Sequence, residues 1–531
     1  MPMNLVSVNE MKAIEVAANV RGVTYAQMMQ HAGQGIAEVV LRELGHLDPL
    51  SVVGLVGPGN NGGDTLVALT SLQKSGWCAQ AYLTRTRGAE DALLNDFLQA
   101  GGKVLLAAED SGYATLDHWL AESSVLLDGV LGTGFILPLK PELEALLGHV
   151  SMHVEQLHIV AVDCPSGVDC DSGQIATVVL PAEITVCMAA VKTGLLRFPA
   201  YQRVGQLEVV EIGLPVELPE WQAVQAEVVN GERVRALLPE RRVDGHKGSF
   251  GTLLAVGGSV NYTGAIGLAA RAAYRMGCGL VRVAIPGALH AALAGTLLEA
   301  TWLLLPHEMG VIAADAAEVL AENIAKVDAL LLGPGMGQED TSAEFVRRLV
   351  SGKAWRSTRG NMGFMPKSNQ RPEGGLALPP LVVDADGLHL LARQPEWSQL
   401  LPPLAVLTPH PGEMSALTGM PVEEIQRDRF AVARKFAAQW GHVVVLKGAL
   451  TVVASPDGRL GVIPVATSAL AKAGTGDVLA GMIASLRAQG VMAYDAAICA
   501  AWMHAQAGLV AECWVGHAAG VMAGDVAQAI P

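Results

Sequence analysis

Two kinds of apolar pattern alternate along the first 215 residues. Apolar residues recur at helical spacing in three segments, which predicts helices over 9–21, 24–44 and 64–75. Short apolar runs bounded by turn residues predict buried strands over 51–57, 79–84, 125–128, 158–163 and 182–187. Strands that alternate with helices indicate an α/β fold, in which helices cover both faces of a parallel sheet.

The same alternation starts again after residue 231. Further strands are predicted over 251–256, 281–285, 330–332, 381–384, 405–408 and 443–447, with helices over 264–276 and 476–489. The segment 213–231 has two prolines and no clear period, so we expect the chain to cross there between two α/β domains, 1–218 and 228–531. Residues 351–380 are rich in Gly, Pro, Lys and Arg, which predicts a surface insertion or lid.

Composition excludes several classes of protein. A chain of 531 residues exceeds one ordinary core, and 51% hydrophobic with 16% charged residues excludes intrinsic disorder. A net charge of −15 argues against general nucleic-acid binding, although a local basic pocket for phosphate stays open. Glycines and polar residues interrupt the uncharged stretch 248–270, so no membrane span is predicted. The seven scattered cysteines form no CxxC pair, which fits a reducing cytosol and gives no zinc site.

The first chemical motif is GPGNNG at 57–62, between a predicted strand and a predicted helix. Its glycines let the backbone approach a phosphate at the helix N-terminus, although a purely structural turn is an equal alternative. The ribose-binding acid of a dinucleotide fingerprint is missing, because YLTRTR stands at 82–87, and an ordinary NAD dehydrogenase is therefore disfavoured. The following run NNGGD is costly in a turn unless its amides and carboxylate bind a cation or a ligand.

Two further acids end predicted strands of this domain. Asp128 is followed by GVLGTG, and Asp163 is followed by CPSG. The carboxyl ends of parallel strands are where doubly wound sheets bind ligands. Each acid taken singly also fits an N-cap or a turn residue, but three polar strand ends on one sheet edge favour a binding site.

Together, GPGNNGGD, DGVLGTG, AVDCPSGV and MAAVKTGLL resemble the NAD(P)H-hydrate epimerase (YjeF N-terminal-like) family over about residues 5–215. The resemblance implies a Rossmann-like three-layer sandwich. It implies that the hydrated nucleotide is lined by Asn60, Asn61, Gly62, Gly63, Asp64, Gly132, Thr133 and Gly134. It also implies an acid/base role for Asp163, since one carboxylate can transfer the proton that helps water leave and return.

The same resemblance implies a potassium ion held by Asn61, Asp128 and Ser166. The sequence departs from the family pattern at Thr65, where glycine is usual. The threonine adds bulk at the start of the helix and leaves the implied ligands in place.

The second half carries its strongest motif at 471–477, AKAGTGD, which runs into a predicted helix. Small residues at a helix N-terminus create an anion hole for a transferring phosphoryl group. Asp477 then has the position of a general base that accepts a proton from a substrate hydroxyl. The alternative is a first-turn acid that only complements the helix dipole.

This segment resembles the ribokinase-like superfamily, which uses no Walker A sequence. With HKGSFG, LGPGMG, DADG, LTPHPGE and KGALT, the set resembles the ADP-dependent NAD(P)H-hydrate dehydratase family over about 230–531, apart from the insertion. The resemblance implies a ribokinase-like three-layer sandwich. It implies that the hydrate contacts Ala265, Gly335, His410 and Asp477. It implies that the adenine nucleotide contacts Lys447, Gly448, Ala449, Leu450, Thr451 and Gly476.

Some of these residues also have ordinary structural explanations. His410 lies between two prolines and could be a satisfied structural histidine, and Lys447 could simply reach solvent from a strand end. Asp384 and Asp386 could bind magnesium through water or cap a turn, and they stay outside the predicted catalytic set.

The two resemblances imply one bifunctional repair enzyme. It would epimerise the R and S hydrates of NADH and NADPH and would dehydrate the S form with ADP and Mg²⁺, with K⁺ in the epimerase domain. We also expect a homo-oligomer in the cytoplasm, with no nucleic-acid or membrane partner. The alternative is an ATP- or ADP-dependent kinase of a small hydroxymethyl heterocycle, fused to a non-catalytic nucleotide-binding module.

Two substitutions separate these hypotheses. With mixed epimers of hydrated NADH, ADP and Mg²⁺, Asp163→Asn should leave only the S fraction recoverable, about half, because proton transfer at the other epimer is lost. Asp477→Asn should recover none. Absorbance of the dihydropyridine band measures the recovery, and recovery without ADP or a persistent phosphorylated product would contradict the dehydratase hypothesis.

Overall fold

The computed structural model describes residues 3–88, 90–352 and 377–530. The chain divides into two compact units, Met3–Val228 and Val229–Pro531. The division lies within the predicted crossing segment, and the functional bounds 1–218 and 228–531 stay a prediction. Most of the predicted insertion at 351–380 lies outside the described residues.

The N-terminal unit alternates strands and helices. Its strands are β1 (Met3–Val6), β2 (Ser51–Val56), β3 (Cys78–Leu83), β4 (Lys103–Leu106), β5 (Val125–Gly129), β6 (His158–Val162), β7 (Ile184–Met188), β8 (Val191–Lys192), β9 (Gln206–Val210) and β10 (Ala226–Val228). Its helices are α1 (Val8–Val20), α2 (Tyr25–Leu44), α3 (Asn60–Lys74), α4 (Ala92–Gln99), α5 (Ala114–Glu122), α6 (Pro141–Val150) and α7 (Pro219–Gln222). Short 3₁₀ helices occupy Ala107–Glu109, Ser111–Tyr113, Ser151–Gln156, Thr193–Leu196 and Ala200–Arg203.

Seven described strands of this unit form one parallel sheet in the order β4-β3-β2-β5-β6-β7-β9. A smaller group places β1 between β10, which is antiparallel to it, and β8, which is parallel. The strand order reverses between β2 and β5. Ligands bind open α/β sheets at such a switch point, beyond the carboxyl ends of the strands.

The helices of this unit begin in two different ways. Ser7 and Thr24 close capping boxes at the starts of α1 and α2, so their hydroxyls satisfy backbone N–H groups there. Helix α3 begins after Gly59 with no side-chain cap. Its first N–H groups therefore remain available at the switch point, where an anion would be stabilised.

The C-terminal unit has the same alternation. Its strands are β11 (Thr252–Val256), β12 (Leu280–Pro286), β13 (Thr301–Leu305), β14 (His307–Glu308), β15 (Val311–Ile312), β16 (Ala329–Leu332), β17 (Leu381–Val383), β18 (Val406–Leu407), β19 (Val443–Leu446), β20 (Val452–Ala454) and β21 (Leu460–Val462). Its helices are α8 (Gly231–Leu237), α9 (Thr263–Arg275), α10 (His290–Leu293), α11 (Ala316–Asn323), α12 (Asp340–Ser351), α13 (Asp386–Ala392), α14 (Trp397–Leu400), α15 (Pro411–Thr418), α16 (Val422–Arg427), α17 (Arg429–Trp440), α18 (Thr475–Ala488), α19 (Ala493–Val515) and α20 (Ala523–Gln528). The 3₁₀ helices are Lys247–Phe250, Gly287–Leu289, Ser468–Leu470 and Ala518–Gly520.

Nine described strands of this unit follow the order β13-β12-β11-β16-β17-β18-β19-β20-β21, and β14 and β15 form a separate antiparallel pair. Along this order the strands from β13 to β19 are parallel to their neighbours, and β20 and β21 continue antiparallel. Alternate residues of β11 enter separate apolar cores: Leu253 and Ala255 join one, and Leu254 and Val256 join the other. A sheet with a core on each face is the three-layer sandwich predicted, and the α/β fold class is confirmed.

Two elements differ instructively from the predicted pattern. Helix α3 begins at Asn60 rather than at residue 64, because the polar and glycine residues of its first turn carry no apolar period. Helix α19 was not predicted, since small apolar residues cover nearly its whole circumference and leave no polar face to set a period.

None of the described helices combines the length and apolar composition that a membrane crossing requires.

Helix α18 packs tightly on α9 through Gly481, where an added Cβ would lie 2.1 Å from the Ala269 carbonyl oxygen. Gly481→Ala should therefore destabilise the chain by about 1–3 kcal/mol, because backbone atoms cannot give way as a flexible side chain would. Urea unfolding measures the change. The matched control is Gly524→Ala in α20, where an added Cβ meets nothing within 4 Å; equal stability of the two variants would contradict the prediction.

Candidate active sites

The N-terminal site lies where β2, β5 and β6 end, and Asn61 links their loops. The Asn61 side-chain amide donates to the carbonyl oxygens of Leu131 and Val162, both at 2.9 Å. Close backbone packing holds the asparagine there: a Cβ on Gly62 would lie 1.9 Å from the Gly57 carbonyl oxygen. Predicted residue Gly132 lies against Asn61, since its added Cβ would lie 3.3 Å from that side chain.

Asp128 is completely buried at the end of β5. Its two carboxylate oxygens accept hydrogen bonds from the Ser166 hydroxyl at 2.5 Å and from the Ser166 N–H at 2.8 Å. The same hydroxyl accepts from Leu131 N–H at 2.9 Å. Burial raises the pKa of Asp128, and the bonds from Ser166 oppose that rise. The three predicted potassium ligands, Asn61, Asp128 and Ser166, are thus joined through Leu131.

Asp163 follows β6 in the left-handed conformation, with φ of 65°. One of its carboxylate oxygens accepts from the Met188 N–H at 3.1 Å and forms a very short ion pair with Lys192. Lys192 is 1% exposed. Burial alone would lower the pKa of Lys192, but the Asp163 carboxylate raises it above its ordinary value. A buried ammonium therefore holds the predicted acid/base residue at this sheet edge.

A second carboxyl group shares this environment. Burial, and then the charges of Asp163 and Glu15, raise the pKa of Asp64 well above its ordinary value. Burial likewise raises the pKa of Glu15. Asp64 is nearly buried in the first turn of α3, whereas Asn60 and Gly134 are exposed and Thr133 is half-buried. Neighbouring carboxyls in different environments favour different protonation states.

The C-terminal site is organised around Lys447, at the end of β19. Its ammonium lies 2.6 Å from the Asp384 carboxylate and 3.5 Å from that of Glu413. Asp384 is 1% exposed and also accepts a 2.7 Å hydrogen bond from the Thr408 hydroxyl. Burial alone would lower the pKa of Lys447, but Asp384 raises it. The alternative of a strand-end lysine in open solvent is therefore wrong.

Asp477 lies in the first turn of α18, after Gly474 in the left-handed conformation with φ of 92°. Burial, followed by the negative charge of Asp384, raises the pKa of Asp477 to about 7. On the preceding residue, Gly476, an added Cβ would lie 3.3 Å from the Lys447 ammonium nitrogen. The predicted general base therefore lies beside a buried cation and has a pKa near neutrality.

A cavity of about 630 Å³ opens at this edge of the sheet. Most of the predicted nucleotide residues line it: Lys447, Gly448, Ala449, Thr451 and Gly476, together with His410. Leu450 is absent from its described lining, because the backbone turns there with φ of 56° and buries the side chain. A direct nucleotide contact by Leu450 stays a prediction.

The remaining predicted hydrate residues lie on other elements of the unit. Gly335 packs against Ala265, since an added Cβ would lie 2.9 Å from the Cβ of Ala265. His410 caps α15, and its Nδ1 accepts from the N–H groups of Gly412 and Glu413 at 3.0 and 3.3 Å. Burial lowers the pKa of His410, and its Nε2 then carries the proton of the neutral ring.

Both units are similar to known protein families. The NAD(P)H-hydrate dehydratase family model matches residues 253–355 and 369–531, and that of the YjeF-related protein N-terminus matches 25–194. A bifunctional NAD(P)H-hydrate repair enzyme from Moorella thermoacetica is 35% identical over 100% of this chain and 96% of its own length. The chain belongs to the bifunctional NAD(P)H-hydrate repair enzyme family. The resemblance inferred from the motifs is confirmed.

Other members of the repair enzyme family are similar over most of their length. The Escherichia coli enzyme of the same name is 32% identical over 92% of this chain and 86% of its own length. Among solved structures, an ADP/ATP-dependent NAD(P)H-hydrate dehydratase from Bacillus subtilis is 31% identical, with a TM-score of 0.46. It covers 57% of this chain and 96% of its own.

Sequence reasoning missed three groups that the fold places at these candidate sites. Lys192 stands inside the quoted motif MAAVKTGLL, but only the fold shows that its ammonium reaches Asp163. Glu413 also stands within a quoted motif, LTPHPGE. His504 lies far along the chain in α19 and lines the cavity, and burial lowers its pKa to about 4. No sequence signal marked His504, because α19 itself has no visible period.

The buried pair predicts a stability effect in the repair enzyme. Lys192→Met should lower the free energy of unfolding by about 3 kcal/mol, because the Asp163 carboxylate would stay buried without its cation. Urea unfolding followed by circular dichroism measures it. Lys74→Met, an exposed lysine in the last turn of α3, should change stability by less than about 0.5 kcal/mol. If Lys192→Met proved as stable as Lys74→Met, Lys192 and Asp163 would not form a buried ion pair in the protein.

Proposed function

We propose that this chain restores hydrated nicotinamide cofactors. Its N-terminal unit would interconvert the R and S hydrates of NADH and NADPH, and its C-terminal unit would convert the S hydrate to the cofactor with ADP, giving AMP and phosphate. Membership of the repair enzyme family supports both steps. The observation that carries the proposal is the raised pKa of Asp477, about 7, in the residue directly after Gly476. Gly476 and Lys447 both line the cavity of about 630 Å³.

The dehydration begins with proton transfer to Asp477. Its carboxylate accepts the proton of the ring hydroxyl, and the hydroxyl oxygen attacks the terminal phosphorus of ADP, so that the bond to AMP breaks. Phosphate is a much better leaving group than hydroxide. The carbon–oxygen bond of the ester then breaks, a proton leaves the neighbouring ring carbon, and the double bond of the dihydropyridine returns.

The positive charge for this transfer comes from Lys447 and from the start of α18. The ammonium lies near Gly476, where the helix presents its first N–H groups to the cavity. The described residues of this unit offer no group of three histidine, cysteine or carboxylate ligands for a metal. This donor set fits a Mg²⁺ that is held mainly by nucleotide phosphates and water, and such an ion neutralises charge on the phosphates.

The epimerisation uses two carboxyl groups in different environments. Asp163 is ion-paired with Lys192 and accepts a proton, whereas burial and neighbouring charge favour the protonated form of Asp64. A protonated Asp64 donates to the hydroxyl that leaves as water, and Asp163 removes the proton when water returns to the other face. Such a division of roles follows from the raised pKa of Asp64 next to a carboxylate that is paired with a cation.

The predicted potassium site also has chemical support. Asp128 is completely buried, and the described residues form no ion pair with it. The donors nearby are oxygens of a carboxylate, a hydroxyl and an amide, on Asp128, Ser166 and Asn61. Oxygen donors around an uncompensated carboxylate suit a hard cation. K⁺ bound by these three residues would balance the charge and hold the loops after β5 and β6.

The kinase alternative differs in its product. A kinase of a hydroxymethyl group would leave a stable phosphate ester, whereas the repair enzyme breaks that ester. The full-length family match favours repair.

A homo-oligomer, a cytoplasmic location and the absence of nucleic-acid and membrane partners stay predictions.

The raised pKa of Asp477 predicts the pH dependence of dehydration. As a general base it must be ionised, so kcat/KM for the S hydrate should fall about tenfold per pH unit below about 7 and level off above it. Asp477→Asn should lower kcat by about 10²–10⁴-fold and abolish this inflection. Initial rates of dihydropyridine absorbance with ADP and Mg²⁺ measure both effects.

The matched control is Asp340→Asn. Asp340 is also an acid in the first turn of a helix, α12, but it is exposed. The Asp340→Asn variant should leave both kcat and the pH profile of kcat/KM unchanged. Equal losses in the two variants would support the helix-dipole explanation of Asp477 and contradict the general-base role.

A further inference from the structure

A cluster of two histidines and one aspartate shares no residue with either proposed site. In the N-terminal unit, Asp117 of α5 faces His149 of α6 and His153 of the following 3₁₀ helix. One Asp117 carboxylate oxygen is 2.6 Å from Nε2 of His149 and 3.2 Å from Nε2 of His153. The three ligand atoms lie within 4.8 Å of one another. We propose that Asp117, His149 and His153 form a transition-metal site of the zinc class.

The donor set selects the metal class. Two imidazole nitrogens with one carboxylate oxygen are ligands that Zn²⁺ takes in proteins, and three protein ligands leave a fourth position for water. Ligand atoms about 2.0–2.2 Å from zinc lie about 3.3–3.6 Å apart in a tetrahedron. The 3.2 Å separation is close to this range, and the 2.6 Å separation must open by about 0.7–1.0 Å.

The ligands are both held and accessible. The His149 ring stacks on Tyr113, with centroids 4.4 Å apart and planes at 29°, which limits rotation of the imidazole. Fixed rings favour metal binding because less side-chain freedom is lost. The side chains of His149, His153 and Asp117 are 18%, 27% and 41% exposed, so an ion can enter from solvent.

The topology separates this cluster from the epimerase site. Helix α6 and the 3₁₀ helix Ser151–Gln156 lead directly into the start of β6 at His158. Asp163 follows the other end of the same strand, about 16 Å away at about 3.3 Å per residue. The metal would therefore join α5 to the segment before β6 and would act on the stability of the unit rather than on the reacting atoms.

The competing explanation is a hydrogen-bonded trio with no metal. Both imidazoles would then donate Nε2–H to the same carboxylate oxygen, whereas metal binding needs unprotonated Nε2 atoms. The two explanations predict different behaviour of the full chain toward Zn²⁺. Sequence reasoning considered only cysteines for zinc, and the fold brings these three residues together from two separate segments.

The test uses the full chain, freed of metal by a chelator and titrated with Zn²⁺ by calorimetry. We expect one equivalent to bind, with a rise of about 5 °C in Tm at a hundredfold excess over Kd. The double variant His149→Gln, His153→Gln should weaken this binding by at least about 100-fold and lose the rise in Tm. Co²⁺ bound in place of Zn²⁺ should give the intense visible bands of four-coordinate cobalt, and the double variant should lack them.

His158→Gln is the matched control. His158 forms a single histidine–carboxylate pair with Glu183 at 2.6 Å near the same strand ends, and its removal should leave Zn²⁺ affinity unchanged. Asp117→Asn keeps the size of the side chain and should weaken Zn²⁺ binding at least about tenfold. This variant decides the test if the double variant does not fold. Absence of stoichiometric binding, or binding of equal strength in wild type and variants, would overturn the proposal.

Discussion

Carboxylates buried at the carboxyl ends of parallel strands are the constraint on which both units depend. An isolated charge in such a position would cost several kcal/mol. The chain therefore supplies a different partner at each strand end. Asp163 has Lys192, Asp384 has Lys447 and Thr408, and Asp128 has Ser166. These partners fix the loops of both candidate sites, so stability and the proposed function rest on the same contacts.

In each unit the proposed proton chemistry includes an acid that has no direct cationic partner and lies near a carboxylate that has one. The pKa of Asp477 rises to about 7 because it is buried near Asp384, while Lys447 is engaged mainly by Asp384 itself. Burial and the charge of Asp163 likewise raise the pKa of Asp64, while Lys192 is paired with Asp163 itself. In each unit a paired carboxylate raises the pKa of a neighbouring one. Two unrelated reactions thus use one electrostatic arrangement on two versions of a doubly wound sheet.

Much of the architecture was readable from sequence because parallel strands buried on both faces are continuous apolar runs. The strands predicted at 51–57 and 125–128 correspond to β2 and β5 within one residue at either end. Polar residues directly after such runs marked Asp128 and Asp163. Prediction failed where the pattern carried no period, in the first turn of α3 and along α19. His504 was missed for the same reason.

The sequence by itself determined the α/β class, the family and the motifs that supply each acid, because local apolar pattern and turn chemistry act over a few neighbouring residues. Only the tertiary structure decided which acid meets which cation. Lys192 reaches Asp163 across 29 residues and Lys447 reaches Asp384 across 63. It likewise decided that Asp117 meets two histidines. Such pairings depend on strand order and burial, which bring distant segments to one edge, and burial rather than residue type sets the pKa of Asp477.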